Sequence, residues 1–148
     1  MSASNAFETL LLQHIFQNAG IPNIGDATGL RGSTTAGSLF VTLNSADPGE
    51  VGTAVTNEIS YTGYARQAVA RSGAGWVVSG SNVSNAAVLS FGPCTAGTAT
   101  ATHFGIVATS SGAGTLLFKG ALTASIGITT SSNATQTFAI GTLDVDVD

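Results

Sequence analysis

The stretch LNSADPGEVGTAVTNEISYTGYARQAVAR, residues 43–71, carries the side chains best suited to chemistry: Glu58, Tyr61, Tyr64, Arg66 and Arg71. A guanidinium that follows a Tyr-Thr-Gly-Tyr turn can stack on the aromatic faces, and Glu58 is placed to pair with either Arg66 or Arg71. The whole chain holds only 4 Lys and Arg against 8 Asp and Glu. Such a gathering of charge serves either a site or a scaffold in which an ion pair fixes a loop. Upstream, Asp47-Pro48-Gly49-Glu50 is turn chemistry, with proline presetting φ and glycine relieving strain. The cluster reads as scaffold, important for folding or packing rather than for turnover.

Other reactive groups are sparse. The two histidines, His14 and His103, are the available general bases, and neither has a nucleophile and an orienting acid at a telling spacing. No catalytic residue is therefore assigned. Cys94 is the single cysteine, so no intrachain disulfide forms, and a small buried thiol is expected there. Asp144, Asp146 and Asp148 alternate with Val145 and Val147, which puts three carboxylates on one face of a terminal strand. Hard cations need six to eight oxygens, so the bland reading, an acidic strand edge that discourages edge-to-edge pairing, is preferred and no metal is expected. Gly73-x-Gly75 and Gly112-x-Gly114 precede no helix with a phosphate-loop lysine and read as turns, and no cofactor is implied. Asn82-Val83-Ser84 and Asn133-Ala134-Thr135 match a glycosylation pattern that is frequent by chance.

Composition bounds the partners. Charged residues make up 8% of the 148-residue chain and hydrophobic ones 43%, with a formal net charge of −4. Phosphate backbones demand clustered Lys or Arg, which Arg31, Arg66, Arg71 and Lys119 do not supply, so nucleic acid is excluded as a partner. No apolar run approaches the roughly 20 residues that span a bilayer, and the start lacks the basic segment of a secretory signal; no membrane partner is expected.

The elements that position these residues follow from periodicity. Asn5 is expected to cap one helix, with Glu8 returning a capping-box bond, and Gly20 and Pro22 to stop it. Phe7, Leu10, Leu11 and Ile15 recur at helical spacing as an apolar stripe. A helix of this length is marginal alone, so the stripe must be buried. The Gly/Thr/Ser-rich stretch to Gly37 reads as an extended arm, and the stripe as an anchor on another molecule. From residue 38 onward the chain reads as strand and turn, with segments at 38–44, 64–71, 76–79, 86–91, 98–108, 115–122 and 135–147. The expected fold is mainly β, a β-sandwich of roughly seven or eight strands with a jelly roll as one arrangement of it. The division is 1–37, helix and arm, and 38–148, β-sandwich domain.

The same residues carry a resemblance. LFVTLNSADPGEVGTAVTNEISYTGYARQAVARSGAGW, then NAAVLSFGPCTAG, then THFGIVATSSGAGTLLFKGALT resemble a family of small phage structural proteins often described as tail fibre proteins. Its members share a hydroxyl-ADPGE turn, an acidic residue before YTGYAR, a tryptophan after a GxG turn and a strand with His-Phe-Gly; the match covers about residues 38–123. The resemblance implies a non-enzymatic virion component. One placement is a capsid decoration, or cement, protein on the outer shell, a homotrimer bridging subunits of the major capsid protein. The compact length and the absence of coiled-coil heptads favour it. The alternative is a tail fibre or tail-tip component that attaches to a host surface. A carbohydrate-binding β-sandwich is a third reading, for which Trp76, Tyr61 and Tyr64 are too few stacking aromatics.

Overall fold

A computed structural model describes residues 2–131 and 135–147. The protein is mainly β, as expected, with one N-terminal helix and antiparallel sheets consistent with the β-sandwich class. In chain order the elements are α1 (Asn5–Gln17), β1 (Ser38–Asn44), β2 (Gln67–Ala70), β3 (Trp76–Ser79), β4 (Asn82–Asn85), β5 (Leu89–Phe91), β6 (Thr98–Val107), β7 (Leu116–Thr129), β8 (Gln136–Phe138) and β9 (Asp144–Asp146). They form a four-stranded sheet ordered β2-β1-β6-β7, a three-stranded sheet β3-β4-β9 and a β5-β8 pair. The chain divides into two compact units: residues 1–38, 69–88 and 138–148 make the first, 39–68 and 89–137 the second. The helix-and-arm segment thus shares its unit with a central hairpin and the C-terminal strand.

In the first unit, α1 is capped by Ser4 rather than Asn5: the Ser4 hydroxyl accepts from the Phe7 amide, which puts Phe7 rather than Glu8 three residues after the cap, so a single capping bond stands where the Asn5–Glu8 box was expected. The helix ends at Asn18, which takes the left-handed conformation (φ 59°) and returns its amide to the Gln13 carbonyl. Asn18 then holds the arm, donating to the Ser33 carbonyl and accepting the Ser33 amide. Ile21 and Leu30 exchange both backbone bonds at 2.8 Å. The arm is irregular but tied back on itself.

The buried face of α1 differs from the expected one. Leu12 and Phe16 are fully buried, while Phe7 is 39% exposed and Leu10, Leu11 and Ile15 are half-buried. The segment FETLLLQHIF offers two overlapping apolar stripes. The one carrying Leu12 and Phe16 faces inward because the Phe16 ring meets Trp76 edge-on, centroids 4.8 Å apart. Gln17 donates to the Trp76 carbonyl and Thr9 to the Gly80 carbonyl, closing the contact with β3 and its turn. The helix therefore docks on its own chain through Leu12 and Phe16, while Phe7, Leu10, Leu11 and Ile15, the stripe read as an intermolecular anchor, lie outside that buried face. Ile21, Val83, Leu143 and Val145 fill out this core.

Arg71 belongs to this unit. Its guanidinium donates to the carbonyls of His14, Ile15 and Ala36, capping the open end of α1 and fastening the arm. Asn85, fully buried, donates to the Ala87 and Ala139 carbonyls and accepts the Leu143 amide, which shapes the turn before β9. That turn divides the strand expected over 135–147 into β8 and β9.

In the second unit β1 pairs with β6 from Phe40↔Val107 to Asn44↔His103, and β6 pairs with β7. Val41, Leu43, Ile106 and Val107 point into the core, joined by Ile59, Tyr61, Phe91, Ala101 and Ile128. The β6–β7 register shifts between Ala101↔Ile126 and His103↔Ala121, so β7 carries an excess of residues over its partner there, a bulge that lets it run on to Thr129. The expected strand over 64–71 shortens to β2, because Tyr64 and Arg66 leave the ladder for the cluster described next.

Candidate functional site

The second unit brings Glu58, Tyr61, Tyr64 and Arg66 together. The turn that does so needs glycine: Gly63 has φ 106°, and a Cβ there would lie 2.2 Å from the Pro93 carbonyl oxygen. Thr62 pairs with Ala96 across this approach, and the Tyr61 hydroxyl donates to the Gly92 carbonyl at 2.8 Å. Tyr61 and Tyr64 pack tilted at 5.4 Å, and Tyr64 stacks parallel to Phe91 at 6.0 Å. The turn thus delivers the Tyr64 ring to the core with its hydroxyl aimed at Glu58.

Glu58 and Arg66 form a fork-on-fork ion pair. Arg66 Nε donates to Glu58 Oε1 at 2.8 Å and Nη2 to Oε2 at 2.7 Å. The side chains are 13% and 3% exposed respectively. Arg66 Nη1 also donates to the carbonyl and hydroxyl of Thr109, and Nη2 to the carbonyls of Ala54 and Gly112. The guanidinium's five N–H groups are thereby consumed, and hydrogen bonding takes the place of the expected aromatic stacking. Tyr64 closes the network, its hydroxyl donating to Glu58 Oε1 at 2.9 Å and accepting the Leu43 amide at 3.2 Å.

Electrostatics follow from this geometry. The hydrogen bond to Glu58 raises the Arg66 pKa above its ordinary value, against the opposing effect of burial. Burial pushes the Tyr64 phenol well above its usual range, and the neighbouring Glu58 carboxylate pushes it further. Tyr61 is raised as well, chiefly by burial. Both tyrosines therefore stay protonated near neutrality, and the Arg66 guanidinium stays charged. Arg71, the other partner open to Glu58, is occupied in the first unit.

Above the ion pair lies an open pocket of about 380 Å³, whose rim is made by Val55, Ser60, Ser110, Ser111 and Gly112. Sequence reasoning missed these residues. Ser111-Gly112-Ala113-Gly114 showed only as a turn, and the carbonyls of Ala54, Thr109 and Gly112 carry no side-chain signal.

The remaining candidates are scattered. His14 Nδ1 lies 2.7 Å from the Ala19 carbonyl and His103 Nδ1 lies 2.9 Å from the Thr102 hydroxyl. Cys94 is buried, with Sγ against the carbonyls of Ala96 and Gly97. Lys119 bridges Asp47 and Glu50, each at 3.1 Å, on the surface. Asp144 and Asp146 share a face of β9, and Asn82 donates to both. Asp148 lies outside the described residues, as does Asn133 of the second glycosylation match. Among the described residues no group of three or more His, Cys, Asp or Glu is arranged to hold a metal ion. Asn82-Val83-Ser84 lies within β4, paired on both sides.

The model of the podophage GP4 fiber I protein gp80 family matches residues 2–146. No curated protein matches the chain.

Proposed function

The chain belongs to the podophage GP4 fiber I protein gp80 family, a family of phage structural proteins, and on that premise we propose that it is a non-enzymatic subunit of a virion fibre. The family match over residues 2–146 carries this reading, since it takes in the helix and arm as well as the β domains. The family's description favours a fibre over a capsid decoration bridging major capsid subunits.

The mechanism is adhesion without turnover. The Glu58–Arg66–Tyr64 network consumes its own donors and holds loops in place, as a scaffold requires. A fibre subunit gains its strength from repeated modest contacts, so self-association into a closed oligomer, a homotrimer, belongs to the same proposal. The test is cryo-electron microscopy of particles carrying a tagged copy of the chain. Density for the tag along a fibre is expected; tag density spread over the icosahedral shell would replace this reading with the decoration one.

A further inference from the structure

The pocket over the Glu58–Arg66 pair is chemically unlike the cluster beneath it. Its volume of about 380 Å³ falls within the range of about 300–1,000 Å³ typical of small-molecule sites. What it can hold is set by which polar groups remain unused. Arg66 has no N–H left, because Glu58, Thr109, Ala54 and Gly112 take them all. An anion would find no free guanidinium there. A cation would find the Glu58 charge already compensated at 2.7 Å.

Neutral hydrogen-bonding capacity does remain. The hydroxyls of Ser60, Ser110 and Ser111 are exposed at the rim and make no hydrogen bond among the described residues. Each is a donor and an acceptor. Glu58 Oε2 accepts a single bond, from Arg66, and keeps acceptor capacity on its 13% exposed side chain. Val55 and Ile59 supply an apolar wall beside these groups. Adjacent hydroxyls, an acceptor at the base and an aliphatic wall complement a ring that bears hydroxyls on its edge and C–H bonds on its face.

We propose that this pocket binds one neutral saccharide unit, a hexose or N-acetylhexosamine, through Ser60, Ser110, Ser111 and Glu58. Recognition is by hydroxyl hydrogen bonds, since Tyr64, the aromatic side chain lining the pocket, already packs its ring on Phe91 and Tyr61 and commits its hydroxyl to Glu58 and the Leu43 amide. Single-site binding is accordingly weak and relies on repetition for avidity. The inference goes beyond the fibre reading, and the experiment below does not depend on where the chain sits in the particle.

The test is an amide-resolved NMR titration of the full chain with D-glucose, D-galactose and N-acetyl-D-glucosamine, with inorganic phosphate and choline as charged comparators. At least one neutral sugar is expected to give saturable shifts at Ser60 and Ser110–Gly112, while phosphate and choline leave them unmoved. The double variant Ser60→Val, Ser111→Val is expected to weaken binding about tenfold at an unchanged thermal midpoint, as loss of two modest hydrogen bonds would. Ser111→Ala alone, which removes one of those hydrogen bonds, is expected to weaken binding about threefold and serves should the double variant fold poorly. Absence of pocket shifts for every neutral sugar up to about 100 mM, two decades above a millimolar Kd, overturns the proposal. So does binding that survives Ser111→Ala and the double variant undiminished, or stronger pocket binding of phosphate or choline.

Discussion

Phe16 of the N-terminal helix meets Trp76 at the start of β3 edge-on, with ring planes at 68°, and both side chains are fully inaccessible to solvent. The pair makes α1 part of a hydrophobic core. Phe16→Ala leaves a cavity beside the ring and is expected to cost about 3–5 kcal/mol in denaturant unfolding. The emission of Trp76, the single tryptophan, should shift to the red as water reaches it. Phe7→Ser, on the exposed side, is expected to stay within about 0.5 kcal/mol of wild type. Equal losses from both substitutions would remove the distinction between the two helix faces.

The ion pair of the second unit makes a different prediction. Arg66→Ala strands the Glu58 carboxylate and three carbonyls that the guanidinium had served. Breaking a buried pair from one side costs about 3–5 kcal/mol, mostly through the group left behind. Glu58→Gln keeps the shape and one acceptor, and is expected to cost less than Arg66→Ala. Denaturant unfolding of the two variants checks the order. An Arg66→Ala protein as stable as wild type would show that the network contributes nothing to the fold.

The alkaline limb of stability should report the two tyrosines. Tyr64 and Tyr61 have folded pKa values raised above the ordinary tyrosine value, chiefly by burial. Between the unfolded value near 10 and the higher folded value, the folded state keeps protons that the unfolded state has released. Stability is therefore fully present below about pH 10 and declines as pH rises through that interval. Absorbance at the tyrosinate band should stay flat while the protein is folded and rise with unfolding. A smooth tyrosinate titration near pH 10 in folded protein, with no loss of stability, would contradict the buried placement of both rings.

The sequence made some of this legible and withheld the rest for physical reasons. The helix was visible because its period and its stop are local, and the β class because residues 38–44 and 98–108 alternate cleanly. The helix's buried face was not, since a sequence with overlapping stripes leaves the choice to Trp76, a contact some 60 positions away. β4 was hidden for the opposite reason. Asn82–Asn85 has one apolar residue, Val83, and becomes a strand through its pairing with β3 and β9. Glu58 and Arg66 were conspicuous as charges in a charge-poor chain, but the carbonyls that saturate Arg66 come from distant loops. The pocket rim depends on the same long-range closure.

Self-association gives the last prediction, and salt is the variable that tests its basis. With 8% charged residues, the chain has few ion pairs to place in an interface, and Arg66, Arg71 and Lys119 are already engaged within one copy. An oligomer of this protein should be held by neutral and apolar contacts. The screening length falls from about 10 Å at 0.1 M salt to about 3 Å at 1 M, which weakens exposed charge pairs and leaves neutral contacts intact. Sedimentation velocity at micromolar concentration is expected to show one closed oligomer, a trimer, with the same coefficient at both ionic strengths. A monomer at both would defeat the self-association proposal. An oligomer that falls apart in high salt would show that charge holds the interface, against the reading of these surfaces as neutral.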